Sequence, residues 1–272
     1  MNYKLIIYII IFFIIGLIIR LNTNTTITCN KDYNLNDNGF TVIENILDEN
    51  DINVINNYWN NKNYIELKHF INNHYNVKIN ILKKFPNYIL QNYIFLIEKS
   101  KIHVCHRDGN AKIYNITQKY PSYTVIFYID NMDYNLDVIP NSHKNNTTDI
   151  YITDTTKSIK CNKGDAILFD AGLVHCGSFN KKPNNKRIQM KLTHKDDIKD
   201  LDFYENYNKI LDKENTNPEY ITKIQKYLSC QFPFIGDLTS TEIKSDNVSG
   251  IKKIYSKIFY NNENYYNLPN II

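Results

Sequence analysis

The sequence predicts an α+β chain, in which a β-sandwich or double-stranded barrel is buttressed by helices and followed by a helical C-terminal extension. Three observations predict it. Short runs rich in β-branched and aromatic residues cluster between residues 101 and 193. Apolar residues three and four apart recur on both sides of that region. The N-terminus is one unbroken apolar run. A chain of 272 residues is long enough for one large domain with a substantial core.

Leu5 to Ile19 reads LIIYIIIFFIIGLII between Lys4 and Arg20. Fifteen helical residues span roughly 22 Å against a hydrocarbon core of ~30 Å, and flanking Lys and Arg can snorkel to close part of the gap. RLNTNTTITC follows, without a small-x-small cleavage site. Residues 1–20 are therefore expected to be a transmembrane anchor, single-pass, or a signal segment that leaves the protein secreted or lumenal if cleaved. Residues 21–37 are polar and read as a stalk.

The folded part is expected to begin at residue 38. Asn38-Gly39 is a turn into the short strand Phe40–Ile43, and Asp48 is placed to cap a helix through Ile52, Ile55 and Trp59. Residues 64–99 continue with helical spacing, in Ile65, Phe70 and Ile71 and again in Ile89, Tyr93 and Leu96. Strands are then expected at Tyr123–Ile129, at Ala166–Phe169 after the turn Lys163-Gly164-Asp165, and at Arg187–Leu192. Residues 38–193 form the predicted domain. Residues 194–272 form the helical extension, with helices at Pro218–Leu228 and Val248–Phe259.

Composition excludes little. Asn, Ile, Lys and Tyr dominate, with 22 Tyr and only 8 Gly. The Asn clusters are weak evidence of disorder, because Ile and Tyr are plentiful enough to build a core. A net charge of +4 without a dense basic block gives no reason to expect a nucleic-acid partner. Five cysteines, Cys29, Cys105, Cys161, Cys176 and Cys230, include no CxxC pair. Neither a disulfide framework nor a zinc ribbon is expected from them.

The chemistry is carried by His106-Arg107-Asp108, His175 and Arg187. In a strand, residues two apart share a face, so His106 and Asp108 point together while Arg107 points away. His103 has the opposite parity to His106. His175 follows the turn, strand and turn of Gly164–Asp170, which would deliver it to the mouth of a barrel. Two imidazoles and a carboxylate binding a metal from one side, with positions left open, is the arrangement of non-haem Fe(II) oxygenases. The same three ligands also suit Zn²⁺ with a bound water. On the last strand Arg187 and Gln189 share one face and Ile188, Met190 and Leu192 the other. A polar inner face suits a ligand-filled core, and the arginine fork matches a carboxylate.

In this order the motifs resemble the phytanoyl-CoA dioxygenase-like family of Fe(II)/2-oxoglutarate oxygenases. GFTVIENIL from Gly39 is similar to the family's opening strand and turn, and His106-Arg107-Asp108 to its HxD. LDVIPNSHK from Leu136 resembles its LxVIPGSHK loop, with Asn141 in place of Gly. Gly164-Asp165 through His175-Cys176-Gly177-Ser178, with Arg187, resembles its GDAxxFD, HGS and Arg series. The resemblance covers residues 38–193. It implies a double-stranded β-helix, or jelly-roll, core in which His106, Asp108 and His175 hold Fe(II) and Arg187 grips the distal carboxylate of 2-oxoglutarate. It implies no catalytic side chain beyond the metal centre, and a structural role for His143. The expected activity is hydroxylation of a small or lipid-like molecule with O₂, at a membrane. Two other readings of the chain are a zinc-dependent hydrolase and a catalytically silent, membrane-tethered binding or structural protein that keeps the fold.

Overall fold

The runs rich in Val, Ile, Phe and Tyr pair into two sheets. The computed structural model describes residues 3–23, 25–28, 33–98, 104–152, 156–180, 185–211 and 218–234, with 236, 254 and 257. The N-terminal part contains α1 (Tyr3–Thr23), β1 (Thr25–Thr28), α2 (Leu35–Asn38) and β2 (Phe40–Ile43). Next come α3 (Glu49–Asn60), α4 (Tyr64–Asn73) and α5 (Tyr75–Val77), which runs on into a π-helical turn at Lys78–Leu82. The strands β3 (Tyr88–Leu90), β4 (Tyr93–Ile97), β5 (Tyr123–Tyr128), β6 (Leu136–Val138) and β7 (Lys157–Lys160) follow. The chain continues through β8 (Ala166–Asp170), β9 (His175–Gly177), β10 (Arg187–His194), β11 (Tyr207–Leu211) and α6 (Glu219–Gln231).

The larger sheet has the order β11-β4-β10-β5-β8-β2, with β3 also on β10, and the smaller has the order β1-β7-β6-β9. Strands alternate their side chains, so each face of the larger sheet meets a different layer. Ile188, Met190 and Leu192 of β10 pack with Ile52, Ile55 and Trp59 of α3 and Leu67 and Ile71 of α4. On the opposite face Ile126, Tyr128, Ile167 and Phe169 meet Leu136, Val138 and Ile159 of the smaller sheet. Each such aliphatic side chain contributes about 1.5–3 kcal/mol on full burial. Helices on one side and a second sheet on the other give the predicted α+β architecture.

Local signals explain the entry into the domain. Asp48 and Asp51 form a reciprocal capping box at the start of α3. Gly39 takes a left-handed φ of 82° and lies against the His143 ring, where a Cβ would collide. Asn141 also sits in the left-handed region, at φ 69°. Asn tolerates that conformation better than most residues, which is why it can stand where the resemblance has Gly.

Several expectations are corrected. Tyr88–Leu90 and Tyr93–Ile97 are strands rather than helix. Every residue of Tyr93–Ile97 is buried, so the run has no polar side to betray its period. The expected stalk contains β1, which pairs in parallel with β7, and the expected helical extension contains β11, which pairs in parallel with β4. The boundary at residue 193 falls inside β10. Cys105 and Cys230 form a disulfide across 125 residues, a partnership that spacing alone could not reveal. The second C-terminal helix, Val248–Phe259, lies largely outside the described residues, as do Cys29 and His103.

The N-terminal apolar run does form a helix, but the expected transmembrane helix is not found. Among the described residues no helix is long and apolar enough to cross a membrane. One side of α1 is taken up by α6: the Phe13 and Phe232 rings lie 5.2 Å apart, and a Cβ on Gly16 would meet Gln231 Nε2 at 2.8 Å. Leu5, Ile9, Phe12 and Ile15 remain exposed.

Candidate metal centre

His106 and His175 come together because their backbones pair. Each amide donates to the other's carbonyl at 3.0 Å, an isolated antiparallel bridge at the end of β9. Both imidazoles are oriented alike. His106 Nδ1 lies 2.8 Å from the Val104 carbonyl and His175 Nδ1 lies 2.9 Å from the Leu173 carbonyl. In that orientation Nδ1–H donates to the backbone and the Nε2 lone pair is turned towards the third member of the group.

That member is Asp108, whose Oδ1 lies 3.8 Å from His106 Nε2 and 3.5 Å from His175 Nε2. One donor atom from each of the three residues lies within 4.8 Å of the others. Asp108 is tied down on its other side. Its amide donates to the Ala171 carbonyl at 2.9 Å, and its Oδ2 accepts from Thr124 Oγ1 and from Lys191 Nζ, the latter at 2.8 Å. Lys191 is itself fully buried, with its ammonium 5.6 Å from the centroids of the Tyr93 and Tyr204 rings.

The electrostatics leave the group ready to ligate. Burial pushes the Asp108 carboxyl up. Lys191 and the two imidazoles outweigh burial and hold it well below the usual carboxylate range. Burial lowers His175 to about 4 against the opposing pull of Asp108, so its imidazole is neutral at physiological pH. An ionised carboxylate oxygen and imidazole nitrogens are the donors that a borderline divalent cation takes.

Arg187 stands apart from this cluster. It is buried on β10, on the strand face it shares with Gln189 and Lys191, and its Nη1 donates to the Asn185 carbonyl at 3.1 Å. Its register partner on β5 is Tyr128, whose buried hydroxyl has no hydrogen-bond partner among the described residues. Burial raises the Tyr128 phenol, Cys161 adds to that, and Arg187 opposes it. A basic fork and an unpartnered phenol thus occupy neighbouring positions in the inner layer.

The remaining residues divide cleanly. Arg107 points away from Asp108 as parity required, donating from Nε to the Gly172 carbonyl and from Nη2 to the Tyr151 hydroxyl. His143 lies outside the cluster, with Nε2 3.3 Å from the Asn36 carbonyl. Thr124 reaches Asp108, whereas Tyr114 is partly exposed on a 3₁₀ turn. Lys191 and Tyr128 are the site residues that motif reading missed. Strand parity contained the signal for Lys191, since it falls two residues beyond Gln189 on the same face.

No family profile and no curated protein sequence matches the chain. Among solved structures it is similar to the non-heme alpha ketoglutarate dependent epimerase SnoN from nogalamycin biosynthesis. That likeness has 11% identity over 59% of this chain and 78% of that one, with a TM-score of 0.48. It is similar to the iron and alpha-ketoglutarate-dependent endoperoxidase NvfI at 11% identity, covering 60% and 81%, with a TM-score of 0.44. HygX from Streptomyces hygroscopicus, crystallised with nickel and 2-oxoglutarate bound, matches at 12% identity over 59% and 84%, with a TM-score of 0.41. At such identities and scores, chemistry has to be read from this chain's own side chains.

Proposed function

We propose that the chain is an Fe(II)- and 2-oxoglutarate-dependent dioxygenase that hydroxylates a C–H bond of a small or lipid-like molecule, in the manner of the phytanoyl-CoA dioxygenase-like enzymes its motifs resemble. The observation that carries this reading is the convergence of His106 Nε2, His175 Nε2 and Asp108 Oδ1 from one side, with both imidazoles fixed through Nδ1. The donor chemistry fits a divalent transition metal. His106, Asp108 and His175 would hold it, leaving positions for a chelating co-substrate and O₂. When bound, the iron supplies the redox chemistry that couples oxidative decarboxylation of 2-oxoglutarate to C–H hydroxylation.

The chain's own residues do the rest. Lys191 and Thr124 occupy Oδ2 of Asp108, which leaves Oδ1 to ligate through one oxygen. Arg187 is the residue of choice for the distal carboxylate of 2-oxoglutarate, because its fork pairs with a carboxylate through two hydrogen bonds. The Tyr128 hydroxyl, buried beside it without a partner, would donate to the same carboxylate. Asp108 fills the carboxylate position, so no ligand place is left vacant for a halide, and hydroxylation is favoured over halogenation.

The test is metal binding followed by co-substrate binding. Stripped protein should take up one Fe(II), and 2-oxoglutarate added without oxygen should give a visible charge-transfer band and, with O₂, succinate. His106→Ala, Asp108→Ala and His175→Ala should each lose the band. Tight Zn²⁺ binding with no response to 2-oxoglutarate would favour a hydrolase, and no metal uptake would favour a silent binding protein.

We further propose that the exposed apolar side of α1, including Leu5, Ile9, Phe12 and Ile15, places the protein at a membrane. Full-length protein found in the pellet after a high-pH carbonate wash supports this. Recovery in the wash at full mass overturns it.

A further inference from the structure

Three of the five cysteines converge immediately behind the metal cluster. Cys105 precedes His106 and Cys176 follows His175. Because His106 and His175 exchange both backbone hydrogen bonds, the next pair outward, Cys105 and Cys176, is a non-hydrogen-bonded pair, in which facing side chains approach most closely. Strand alternation turns these two sulfurs away from the imidazoles and towards α6, where Cys230 meets them. Cys105 is bonded to Cys230, and its Sγ also lies 3.4 Å from Sγ of Cys176. All three are fully buried, among Ile139, Tyr151 and Val174.

We propose that Cys105, Cys176 and Cys230 form a thiol–disulfide exchange site whose two states decide whether α6 is covalently tied to the His106 segment. The step needs no outside oxidant. The Cys176 sulfur, as thiolate, attacks Sγ of Cys105. A Cys176–Cys105 bond forms, the Cys105–Cys230 bond breaks, and Cys230 leaves with the electron pair and takes up the proton that Cys176 gave up. One disulfide and one thiol are present before and after. Cys176 is placed to be the nucleophile, with its sulfur 3.4 Å from the bonded Sγ of Cys105.

The two states differ in what they join. Cys105–Cys230 fastens α6 to the chain 125 residues upstream. Cys105–Cys176 instead links the segments carrying His106 and His175 across their own bridge and leaves α6 to its non-covalent contacts. These include Ser229 Oγ accepting from the Cys105 amide at 2.8 Å, the Gln231 carbonyl accepting from the Tyr151 amide at 2.9 Å, and the Lys226–Asp137 ion pair. The exchange stands independently of the metal-centre assignment.

The experiment is disulfide mapping of the full-length protein, purified without reductant and equilibrated with oxidised glutathione containing a trace of the reduced form. After acid quenching and alkylation, peptides joined through Cys105–Cys230 and peptides joined through Cys105–Cys176 should both be found. Cys230→Ser should accumulate the Cys105–Cys176 link, and Cys176→Ser should hold only Cys105–Cys230. Amide exchange over residues 219–231 should be at least about tenfold faster in Cys230→Ser than in Cys176→Ser, because a cross-link closing a long loop is gone. Wild-type protein that yields only the Cys105–Cys230 link overturns the proposal, whatever the folding of the variants.

Discussion

Lys191 Nζ and Asp108 Oδ2 lie 2.8 Å apart with both side chains essentially inaccessible to solvent, so the carboxylate of the candidate metal centre is paired on its far oxygen. Removing one partner of a buried pair costs about 3–5 kcal/mol, because the other is left charged in an apolar setting. Lys191→Met should therefore destabilise the metal-free protein by about that much at pH 7. Asp108 is depressed in the folded state, so its contribution is present above the unfolded carboxyl value and is lost as pH falls below it. The gap between wild type and variant in urea unfolding should accordingly narrow towards pH 3. A gap that does not change with pH would mean that the Tyr93 and Tyr204 rings, rather than Asp108, hold Lys191.

Arg187→Ala should weaken 2-oxoglutarate binding while leaving metal uptake intact. A charge-assisted pair in a desolvated pocket is worth on the order of 2–5 kcal/mol, well over tenfold in the dissociation constant. Tyr128→Phe removes a hydrogen bond to a charged acceptor, worth about 1.5–3 kcal/mol, so on the order of ten- to a hundredfold is expected. Its hydroxyl has no partner among the described residues, so the same change should cost almost nothing in stability. Calorimetric titration of the anaerobic Fe(II) protein separates the two. Unchanged affinity in Arg187→Ala would place the carboxylate elsewhere.

Asp170 gives a pH dependence of the opposite sense to that of Asp108. Burial raises its carboxyl to about 6, against the Gly172 amide that donates to Oδ1 at 2.7 Å. The folded state then holds a proton that the unfolded chain has lost, so this group's contribution is full below about pH 4 and disappears as pH rises through 6. Asp170→Asn keeps an acceptor for Gly172 and removes the charge. It should raise the melting temperature at pH 7.5 by about 3–8 °C, if on the order of 1–2 kcal/mol is recovered. At pH 4 the two proteins should melt together. A variant that melts lower at pH 7.5 would show that the ionised carboxylate is needed.

The site was legible wherever a local rule applied. Period-two parity placed His106 and Asp108 together and turned Arg107 away, and the capping signal at Asp48 fixed the start of α3. Parity also set Arg187 and Gln189 on the inner face of β10. What could not be read depended on distant partners. Tyr93–Ile97 is apolar on both faces because α3 and α4 cover one side of β4 and Leu201 and Tyr204 cover the other, so its period was hidden. Thr25–Thr28 became a strand only because β7 offers it an edge. The disulfide joins residues whose proximity exists only after α6 has docked.

That docking rests on a second buried pair. Lys226 of α6 reaches Asp137 of β6, whose other oxygen accepts from Ser178 Oγ at 2.6 Å, and both charged side chains are almost wholly buried. Lys226 also lies over the Phe179 ring, 4.9 Å from its centroid. Lys226→Met would leave Asp137 ionised and held by Ser178 alone, which should cost about 3–5 kcal/mol. Asp137→Leu should cost less, because burial already lowers Lys226 to about 7 and the stranded amine can shed its proton. The double variant replaces a desolvated pair by apolar side chains on a helix that already packs against an apolar cluster, so it should recover most of the loss. Urea unfolding of the four proteins gives the coupling energy directly. If the two single losses simply add, the pair does not act as a unit. Lys226 would then serve α6 only through its aliphatic stem and the Phe179 ring.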